Sequence, residues 1–528
     1  MMKKLASILG LVFLVVLAGC SGSKETSPPQ DENVKNGVEG EPKSMGEPIA
    51  GGELTIVDLN DAQGLDPHSE TNAQSMHYIE NMYNTLFKYK EGTYGEIEGD
   101  LVEDYEISED GKLYTLKLHK GVKFHNGEDL TSDDVKYSIE RIVEQLVRAP
   151  QFEAVESIEM PDEYTVVIHL EKPVAPFLTF LAYPMNAIVN KTVVEENGGS
   201  LDNADAGSGP FKLVHWKKDQ EMVLERFEDY FKEGFPYLDK VVWKSVPDET
   251  SRTTAIRNKE IDIILQLSPK DIQLLSKADG LTVEPVTGTY WEYIGLNVAE
   301  GPLKEKEVRQ AIATAIDREA MNATVKFGQA TILTGGPIPP GHWAYGELDA
   351  YPKQDIEKAK SLLKEAGYEN GFDITLKVGQ NKAQVDAAQV VKQQLQPLGI
   401  NVEILQQEDS IFFDALGKKD FEMSIVGWVG FVDPDEFLYN IFHTDEVWNQ
   451  QGYSNPEVDQ LLEEGRATAD QAERFEIYKE AQSIIVDEAP MVFLYANQHA
   501  SAIRDGVNGF DVNPAVTTKS LESTWIDR

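Results

Sequence analysis

The chain has 528 residues and a formal net charge of -42 at pH 7, from 90 acidic and 48 basic side chains. This balance disfavours nucleic acid as a partner, because phosphate binding requires a basic face, and it indicates a well-solvated surface. Hydrophobic residues make up 41% of the chain, enough for a sizeable core, and a single cysteine excludes internal disulfides, zinc clusters and redox pairs.

The N-terminal residues have the pattern of a signal peptide. Lys3 and Lys4 precede an apolar segment at residues 5–18. At about 14 residues it is too short to cross a ~30 Å hydrocarbon core, but it fits the apolar region of a signal peptide, predicted at residues 1–19. Residues 17–20 read Leu-Ala-Gly-Cys and resemble a bacterial lipobox. The resemblance implies that Cys20 is lipidated, becomes the mature N-terminus and holds the protein to the membrane through two or more acyl chains.

Residues 20–50 are predicted to form a flexible tether after the lipidated cysteine. They contain four prolines and many Ser, Gly and Glu residues, and they lack aromatic side chains. Such a segment cannot bury enough apolar surface to fold by itself. It would keep the folded body off the membrane and let it reach a partner.

Interleaved strand and helix patterns in the first half of the body predict an α/β protein. Residues 53–57 read as a strand, and residues 114–118 and 164–170 alternate between apolar and polar positions, as half-buried strands do. Thr131 and Asp134 have the spacing of a capping box. The helix that follows is predicted to place four side chains on one face: Val135, Ile139, Ile142 and Leu146.

The second half repeats a strand, helix, strand order. Residues 355–366 read as a helix that ends at Gly367, residues 372–378 as a strand, residues 383–398 as a helix and residues 400–405 as another strand. Strands connected through helices in this way usually pair in parallel. The sequence therefore predicts a sheet with parallel pairing in this half.

Catalytic and metal-binding motifs are absent from the sequence. There is no Walker A loop and no HExxH, and Gly-Ser-Gly-Pro at residues 207–210 lacks the spacing of a nucleophile elbow. The nine histidines have no strong chelating spacing. No catalytic residue, metal ligand or cofactor is therefore predicted, and any ATP hydrolysis must belong to another chain.

Seven segments, in order along the chain, resemble the oligopeptide, dipeptide and nickel class of solute-binding proteins of ABC importers, the bacterial extracellular solute-binding family 5. They begin with Gly-Leu-Asp-Pro-His at residues 64–68 and include Gly-Ser-Gly-Pro-Phe at residues 207–211. The segments lie at residues 64–68, 110–116, 120–135, 207–216, 308–318, 359–368 and 454–459.

This resemblance implies a two-lobed periplasmic-binding-protein fold of the large peptide-binding class. The first lobe would comprise residues 51–69, 205–290 and 497–528, with an extra subdomain inserted at residues 70–204. The second lobe would comprise residues 291–496, with hinges near residues 288–295 and near Tyr495.

The implied function is capture of a short peptide by closure of the two lobes. A ligand that contacts both lobes only in the closed form biases the equilibrium towards closure. The partners would be the permease and ATPase subunits of an importer, which take the cargo unchanged. The protein would act as a monomer on the extracytoplasmic face of the cell membrane, in the periplasm or at the cell exterior.

The resemblance also points to site residues. The chain after residues 64–68 lines the cleft in peptide-binding relatives, which points to Glu70, Thr71 and Asn72. The stretch after residues 260–262 points to Gln266, and the segment at residues 427–435 points to Trp428.

The sequence departs from the pattern of the relatives at one position in that segment. Relatives that bind free peptides usually carry an Asp three residues after the tryptophan, but this chain has Phe431. A buried ammonium without a partner is costly, so another acid must serve or the ligand lacks that group. Asp433 is the nearest substitute, although an Asp before Pro434 also has the pattern of a helix N-cap. Trp428 could pack in the core, and Phe431 could make the pocket more apolar.

The sequence is also compatible with other functions. The same fold could bind a nickel chelate, an oligosaccharide, a glutathione-like compound or an opine. A secreted hydrolase tethered to the membrane and a sensor subunit are alternatives of other classes. Titration with defined peptides separates these hypotheses, since only a hydrolase would turn its ligand over.

Overall fold

The computed structural model describes residues 46–299, 301–430 and 432–528. The predicted signal peptide, Cys20 and most of the predicted tether lie outside these residues, and so does Phe431. Residues 47–528 form a compact unit. Among the described helices, none combines the length and the apolar character needed to cross a bilayer.

The described residues contain strands from Glu53 to Ile526. In chain order they are β1 Glu53–Asp58, β2 Phe87–Tyr89, β3 Ile97–Gly99, β4 Val102–Ile107, β5 Leu113–Leu118, β6 Val155–Asp162, β7 Thr165–Leu170, β8 Phe211–Lys217, β9 Glu221–Arg226, β10 Lys240–Ser245, β11 Ile263–Ile264, β12 Leu281–Val283, β13 Val286–Leu296, β14 Ala330–Ile332, β15 Asp373–Val378, β16 Asn401–Gln406, β17 Met423–Val429, β18 Met491–His499, β19 Ala502–Arg504, β20 Val507–Asn508 and β21 Trp525–Ile526.

Helices alternate with these strands. They are α1 Ala73–Met82, α2 Ser132–Glu144, α3 Phe177–Ala182, α4 Lys191–Glu196, α5 Glu249–Arg257, α6 Pro269–Leu275, α7 Lys306–Ala315, α8 Arg318–Val325, α9 Ile356–Glu365, α10 Lys382–Leu395, α11 Asp409–Gly417, α12 Pro434–Phe442, α13 Pro456–Ala467 and α14 Gln471–Glu488. Short 3-10 helices lie at Ala149–Phe152, Pro184–Asn186, Gly301–Lys304, Gln396–Leu398 and Lys519–Glu522.

The first lobe is built on a seven-stranded sheet with the order β12-β19-β11-β1-β10-β9-β8. Strand β1 confirms the strand predicted at residues 53–57, and it pairs in parallel with β10 and β11. Its Leu54 and Ile56 share one buried core with Trp243 of β10. Strand β19, from the C-terminal part of the chain, is inserted between β11 and β12.

A separate four-stranded antiparallel sheet, β4-β5-β7-β6, lies in the region predicted as an inserted subdomain. Strands β5 and β7 confirm the two alternating patterns. The capping box of Thr131 and Asp134 is present at the start of α2, whose Val135, Ile139 and Ile142 are buried in the core of this sheet. The expectation for Leu146 is wrong: the helix ends at Glu144, and the Leu146 side chain is exposed.

The second lobe is built on a six-stranded mixed sheet with the order β14-β18-β13-β17-β15-β16. Strand β15 pairs in parallel with β16 and β17, as the strand, helix, strand order predicts. Strands β13 and β18 join the sheet in antiparallel pairing. Helix α9 is followed by Gly367 in the left-handed conformation (φ +81°), which confirms its predicted end.

The chain passes twice between the two large sheets. It leaves the first sheet after β12 at Val283 and enters the second at Val286, and it returns between His499 of β18 and Ala502 of β19. The two passages lie side by side, because Val286 pairs with His499. The segments predicted as hinges, near residues 288–295 and near Tyr495, lie in β13 and β18 beside these passages, and their role as hinges stays a prediction. The fold is the expected two-lobed α/β architecture.

Candidate functional site

A cavity of about 230 Å³ lies between the two lobes. The wall on the side of the first lobe and its inserted subdomain includes Thr71, Tyr89, Arg148 and Tyr183. The second lobe contributes Glu436 to the opposite wall. Two larger hollows, of about 420 Å³ each, are lined by residues of the second lobe alone. Of these three cavities, only the interlobe cavity has a wall from each lobe, as the ligand sites of two-lobed binding proteins do, so it is the candidate site.

Tyr89 and Tyr183 supply aromatic surface to this cavity. Tyr89 is the last residue of β2, and Tyr183 follows α3 directly. Burial raises the pKa of both phenols, and it raises the pKa of Tyr183 to about 12. The nearby Glu436 carboxylate acts on both pKa values in the same direction. Within the described residues the buried Tyr89 hydroxyl has no hydrogen-bond partner. An unpaired buried hydroxyl is costly, so this group is available to a ligand.

Arg148 lines the cavity, but its guanidinium is engaged by the protein. It donates hydrogen bonds to the backbone oxygens of Pro67 and Glu70 and, at 3.1 Å, to Oδ1 of Asn186. These bonds tie the loop before α1 to the inserted subdomain. Arg148 is therefore a structural cation rather than a group that can hold an anionic ligand.

The loop after β17 brings three acidic residues to the start of α12. Asp433 caps this helix by accepting a hydrogen bond from the Asp435 amide at 3.0 Å, and Pro434 takes the first helical position. Asp433 also forms a two-bond ion pair with Arg474, and Asp435 forms another with Arg466. Burial raises the pKa of Asp435, although Arg466 opposes the shift.

Glu436 is the third of these acids, and its side chain lines the cavity. It lies in the first turn of α12, where the positive end of the helix dipole stabilises an ionised carboxylate. Trp428 donates from Nε1 to the Glu436 backbone oxygen at 2.9 Å, and its ring packs against Trp448 with 5.4 Å between centroids. The half-buried Trp428 thus fixes the position of Glu436.

The three residues predicted after residues 64–68 have different environments. Thr71 is exposed and lines the cavity. The Glu70 carboxylate accepts a hydrogen bond from Ser75 at 3.3 Å and lies over Gly64, where a Cβ would come within 2.1 Å of it. Asn72 caps α1 by accepting from the Ser75 amide at 3.1 Å. The structure therefore places only Thr71 of these three in the cavity wall.

Gln266 is not among the residues that line the cavity. It follows β11 with a left-handed backbone (φ +52°), which is uncommon for a residue other than glycine, and it is half-buried. Its role in ligand binding stays a prediction, as do those of Glu70, Asn72, Trp428 and Asp433. Phe431 lies outside the described residues.

Contacts between the lobes surround the cavity. The hairpin between β2 and β3 reaches the second lobe, where the Tyr94 ring packs edge-on against His342 at 5.2 Å between centroids. In the same hairpin, a Cβ on Gly95 would lie 2.7 Å from Cβ of Val432. On another part of the interface the Ala175 amide donates to the Arg466 backbone oxygen at 2.9 Å. The described conformation is therefore one in which the lobes are in contact.

The sequence reasoning missed Tyr89, Tyr183 and Glu436. Glu436 directly follows the segment at residues 427–435, so extending that segment by one residue would have included it. Nothing in the local sequence distinguishes Tyr89 and Tyr183 from core aromatics. In the described residues, no group of three or more His, Cys, Asp or Glu side chains could hold a metal ion.

Comparison with known proteins places these features in a family. The family model described as Bacterial extracellular solute-binding proteins, family 5 Middle, matches residues 96–449. The glutathione-binding protein GsiB of Pectobacterium atrosepticum is 29% identical over 464 residues, 85% of this chain and 90% of GsiB. The oligopeptide-binding protein AppA of Bacillus subtilis is 29% identical over 551 residues, 98% of this chain and 97% of AppA.

A solved structure extends the similarity to three dimensions. The ABC transporter-associated periplasmic binding protein DppA of Helicobacter pylori, in complex with the peptide STSA, has a TM-score of 0.76 and 29% sequence identity. The alignment covers 91% of this chain and 99% of DppA. The similarity therefore includes both lobes.

Proposed function

The chain belongs to the bacterial extracellular solute-binding proteins of family 5, and on this premise we propose that it captures short peptides and delivers them unchanged to an ABC importer. Its relatives are solute-binding proteins rather than enzymes. In this proposal a permease and an ATPase, which are separate chains, complete the transporter. The protein holds the cargo outside the cytoplasm until it docks on the permease.

The observation that carries this proposal is the position of the cavity between the lobes. Tyr89 and Tyr183 approach from one lobe and Glu436 from the other. An occupant contacts all three only when the lobes are closed, so binding free energy is converted into a shift of the equilibrium towards closure. This coupling lets a permease distinguish loaded from empty protein without any covalent step.

The class of ligand is supported by the relatives and by the size of the cavity. AppA is named as an oligopeptide-binding protein, and the structure of DppA was solved with a bound peptide. A volume of about 230 Å³ is small beside the ~300–1,000 Å³ of typical small-molecule pockets, which favours a short peptide over a long one. GsiB is named for glutathione, which is itself a modified tripeptide, so a glutathione-like ligand is the second candidate.

Attachment to the membrane through Cys20 is part of the same proposal. The Leu-Ala-Gly-Cys pattern at residues 17–20 supports it. Mass spectrometry of the protein purified from membranes should find a mature N-terminus at Cys20 with added acyl groups, and Cys20→Ser should release the protein in soluble form. A mature chain that begins elsewhere, or an unmodified Cys20, would contradict the anchor. We also propose that the protein acts as a monomer.

Titration calorimetry of residues 21–528 tests the function. Trialanine, tetraalanine and reduced glutathione serve as ligands, and the melting temperature provides a second readout. A ligand present at 100 times its Kd should stabilise the native state by about 2.7 kcal/mol. Binding of the alanine peptides supports the peptide proposal, while tighter binding of glutathione selects the second candidate. Failure of all three to bind would contradict the function.

A further inference from the structure

We infer that Tyr89 limits the size of the ligand group at the inner end of the interlobe cavity, so that this position accepts a small side chain and excludes a large one. The inference rests on the proposed function and deepens it by restricting which peptides fit. It is carried by the position of the Tyr89 side chain, which lines the interlobe cavity and two further hollows beside it.

The Tyr89 side chain separates the interlobe cavity from these two hollows. One hollow, of about 20 Å³, is lined by buried residues of the first lobe and its subdomain, among them Tyr83 and Ala182. The other, also of about 20 Å³, lies between the β2–β3 hairpin, residues 511–520 and Val432 of the second lobe. Each has room for about one water molecule, so neither holds a peptide residue while Tyr89 is in place.

The interlobe cavity has an outer end and an inner end. Thr71 and Val147 are exposed residues of its wall, so the cavity meets the solvent beside them. Tyr89 is half-buried and its hydroxyl is buried, and we call the part of the cavity beside this hydroxyl the inner end. A peptide that extends past Thr71 grows towards solvent, whereas a group that extends past Tyr89 must displace the tyrosine.

The surroundings of Tyr89 resist such a displacement. Its backbone pairs with Ile97 of β3, and β2 also packs against α3. The Tyr89 side chain packs against the buried core of the inserted subdomain. Because a close-packed wall has little free space, extra carbon atoms forced against it push side chains out of their preferred rotamers and weaken binding.

The Tyr89 hydroxyl gives a second reason for a small group at this end. It is buried and has no hydrogen-bond partner among the described residues, and a phenol can both donate and accept. The backbone of a ligand residue with a small side chain can approach this hydroxyl and bond to it. A large side chain would cover the hydroxyl with carbon atoms and leave it unpaired, which is costly.

The test compares Trp-Ala-Ala with Ala-Ala-Trp, two tripeptides of the same composition, with trialanine as the reference. One of the two isomers places its tryptophan at the inner end, whichever direction the peptide takes. Calorimetry on residues 21–528 should show that the unmodified protein binds one isomer roughly 5- to 150-fold more weakly than the other, the range for overpacking. In Tyr89→Ala this difference should fall to near unity, through tighter binding of the disfavoured isomer.

Two variants separate the ring of Tyr89 from other effects. Tyr89→Phe keeps the ring and should keep the difference between the isomers, although it loses the hydroxyl. Tyr105→Ala is the matched control for the loss of a tyrosine. Tyr105 lies on β4 of the same subdomain, is 43% exposed and packs against Phe87 at 5.1 Å between centroids. Tyr105→Ala should therefore also keep the full difference.

The outcomes distinguish this inference from the proposed function. If the unmodified protein binds trialanine and has equal affinity for the two isomers, or if the difference is undiminished in Tyr89→Ala, the role of Tyr89 is overturned while peptide binding stands. Binding of none of the three peptides would contradict the proposed function and this inference with it. If melting curves show that Tyr89→Ala does not fold, Tyr89→Leu replaces it, and the difference between the isomers should shrink in that variant.

Discussion

Asp433 and Arg474 form a buried ion pair through both carboxylate oxygens, with N–O distances of 3.0 and 2.8 Å and side-chain exposures of 6% and 7%. The pair joins the start of α12 to α14, so it fixes the helix that carries Glu436. Asp433, the acid that the sequence suggests as a substitute for the missing ammonium partner, is thus engaged in holding the second lobe together.

Asp433→Asn is expected to destabilise the protein while leaving peptide affinity nearly unchanged. Asn caps a helix about as well as Asp, so the substitution removes mainly the ion pair and leaves Arg474 buried without a counter-charge. Losing one partner of a buried pair costs about 3–5 kcal/mol. Urea unfolding gives the stability, and calorimetry with trialanine gives the affinity.

The matched control for this variant is Asp386→Asn. Asp386 pairs with Lys382 on the surface of α10, where both side chains are well exposed, so little change in stability is expected. If Asp433→Asn instead weakened trialanine binding and kept normal stability, Asp433 would be a ligand residue after all.

Gly95→Ala is expected to weaken ligand binding by obstructing closure. Its new Cβ would lie 2.7 Å from Cβ of Val432 on the second lobe, closer than side-chain carbons approach each other. Overpacking of this kind costs about 1–3 kcal/mol, which corresponds to roughly a 5- to 150-fold rise in Kd. The measurement is calorimetric affinity for trialanine.

Gly92→Ala is the control in the same hairpin. Gly92 and Gly95 both have positive φ, +72° and +90°, so alanine strains the backbone at either position. Nothing lies within 4 Å of a Cβ on Gly92. If the two variants had the same Kd, the contact between Gly95 and Val432 would not limit closure.

Tyr89→Phe is expected to lower affinity for trialanine without loss of stability. The hydroxyl that it removes is buried and has no partner in the described residues. It therefore adds no hydrogen bond to the stability of the ligand-free protein. Tyr230→Phe provides the contrast, because the buried Tyr230 hydroxyl donates to Glu522 at 2.8 Å. It should lose about 1–3 kcal/mol of stability and keep its affinity. If Tyr89→Phe instead lost stability and kept its affinity for trialanine, Tyr89 would not be a residue of the site.

Acidification should destabilise the protein partly through His68. Burial lowers the pKa of His68 to about 3, against about 6.5 in an unfolded chain, and its Nε2 donates to the Ala187 backbone oxygen at 2.8 Å. The unfolded chain therefore binds a proton that the native protein excludes. The contribution of this difference in proton binding at His68 to the free energy of unfolding is complete above about pH 6.5, and it is lost as pH falls towards 3.

His68→Gln keeps a donor for Ala187 but cannot titrate. Between pH 6 and pH 4, the free energy of unfolding of the unmodified protein should fall more steeply than that of the variant, by about 1.4 kcal/mol per pH unit. His169→Gln, at a partly exposed position on β7, is the control. Parallel curves for His68→Gln and the unmodified protein would show that the buried histidine does not contribute.

The fold was predictable from the sequence wherever a local pattern determines the structure. Three such patterns depend on interactions within a single strand or helix: the alternation at residues 114–118, the capping box at Thr131 and the glycine at residue 367. The error at Leu146 has the same origin, since periodicity alone does not show that the chain leaves the helix after Glu144.

The site was less predictable, because its residues come together only through the packing of two lobes. Tyr89 and Glu436 are far apart in sequence, and no local pattern connects them. The family resemblance pointed to the loops at residues 70–72 and 427–435, and of the residues it named there Thr71 lines the cavity. Asn72 and Asp433 illustrate the difficulty, because the short polar side chains that suit ligand binding also suit helix caps.

Small-angle X-ray scattering of residues 21–528 tests most directly whether the two lobes close around a ligand. Profiles are recorded without ligand and with a peptide at a concentration where calorimetry shows saturation. The radius of gyration and the maximum dimension should decrease on binding, and the profile with ligand should match the described conformation. Identical profiles with and without a bound peptide would contradict this closure.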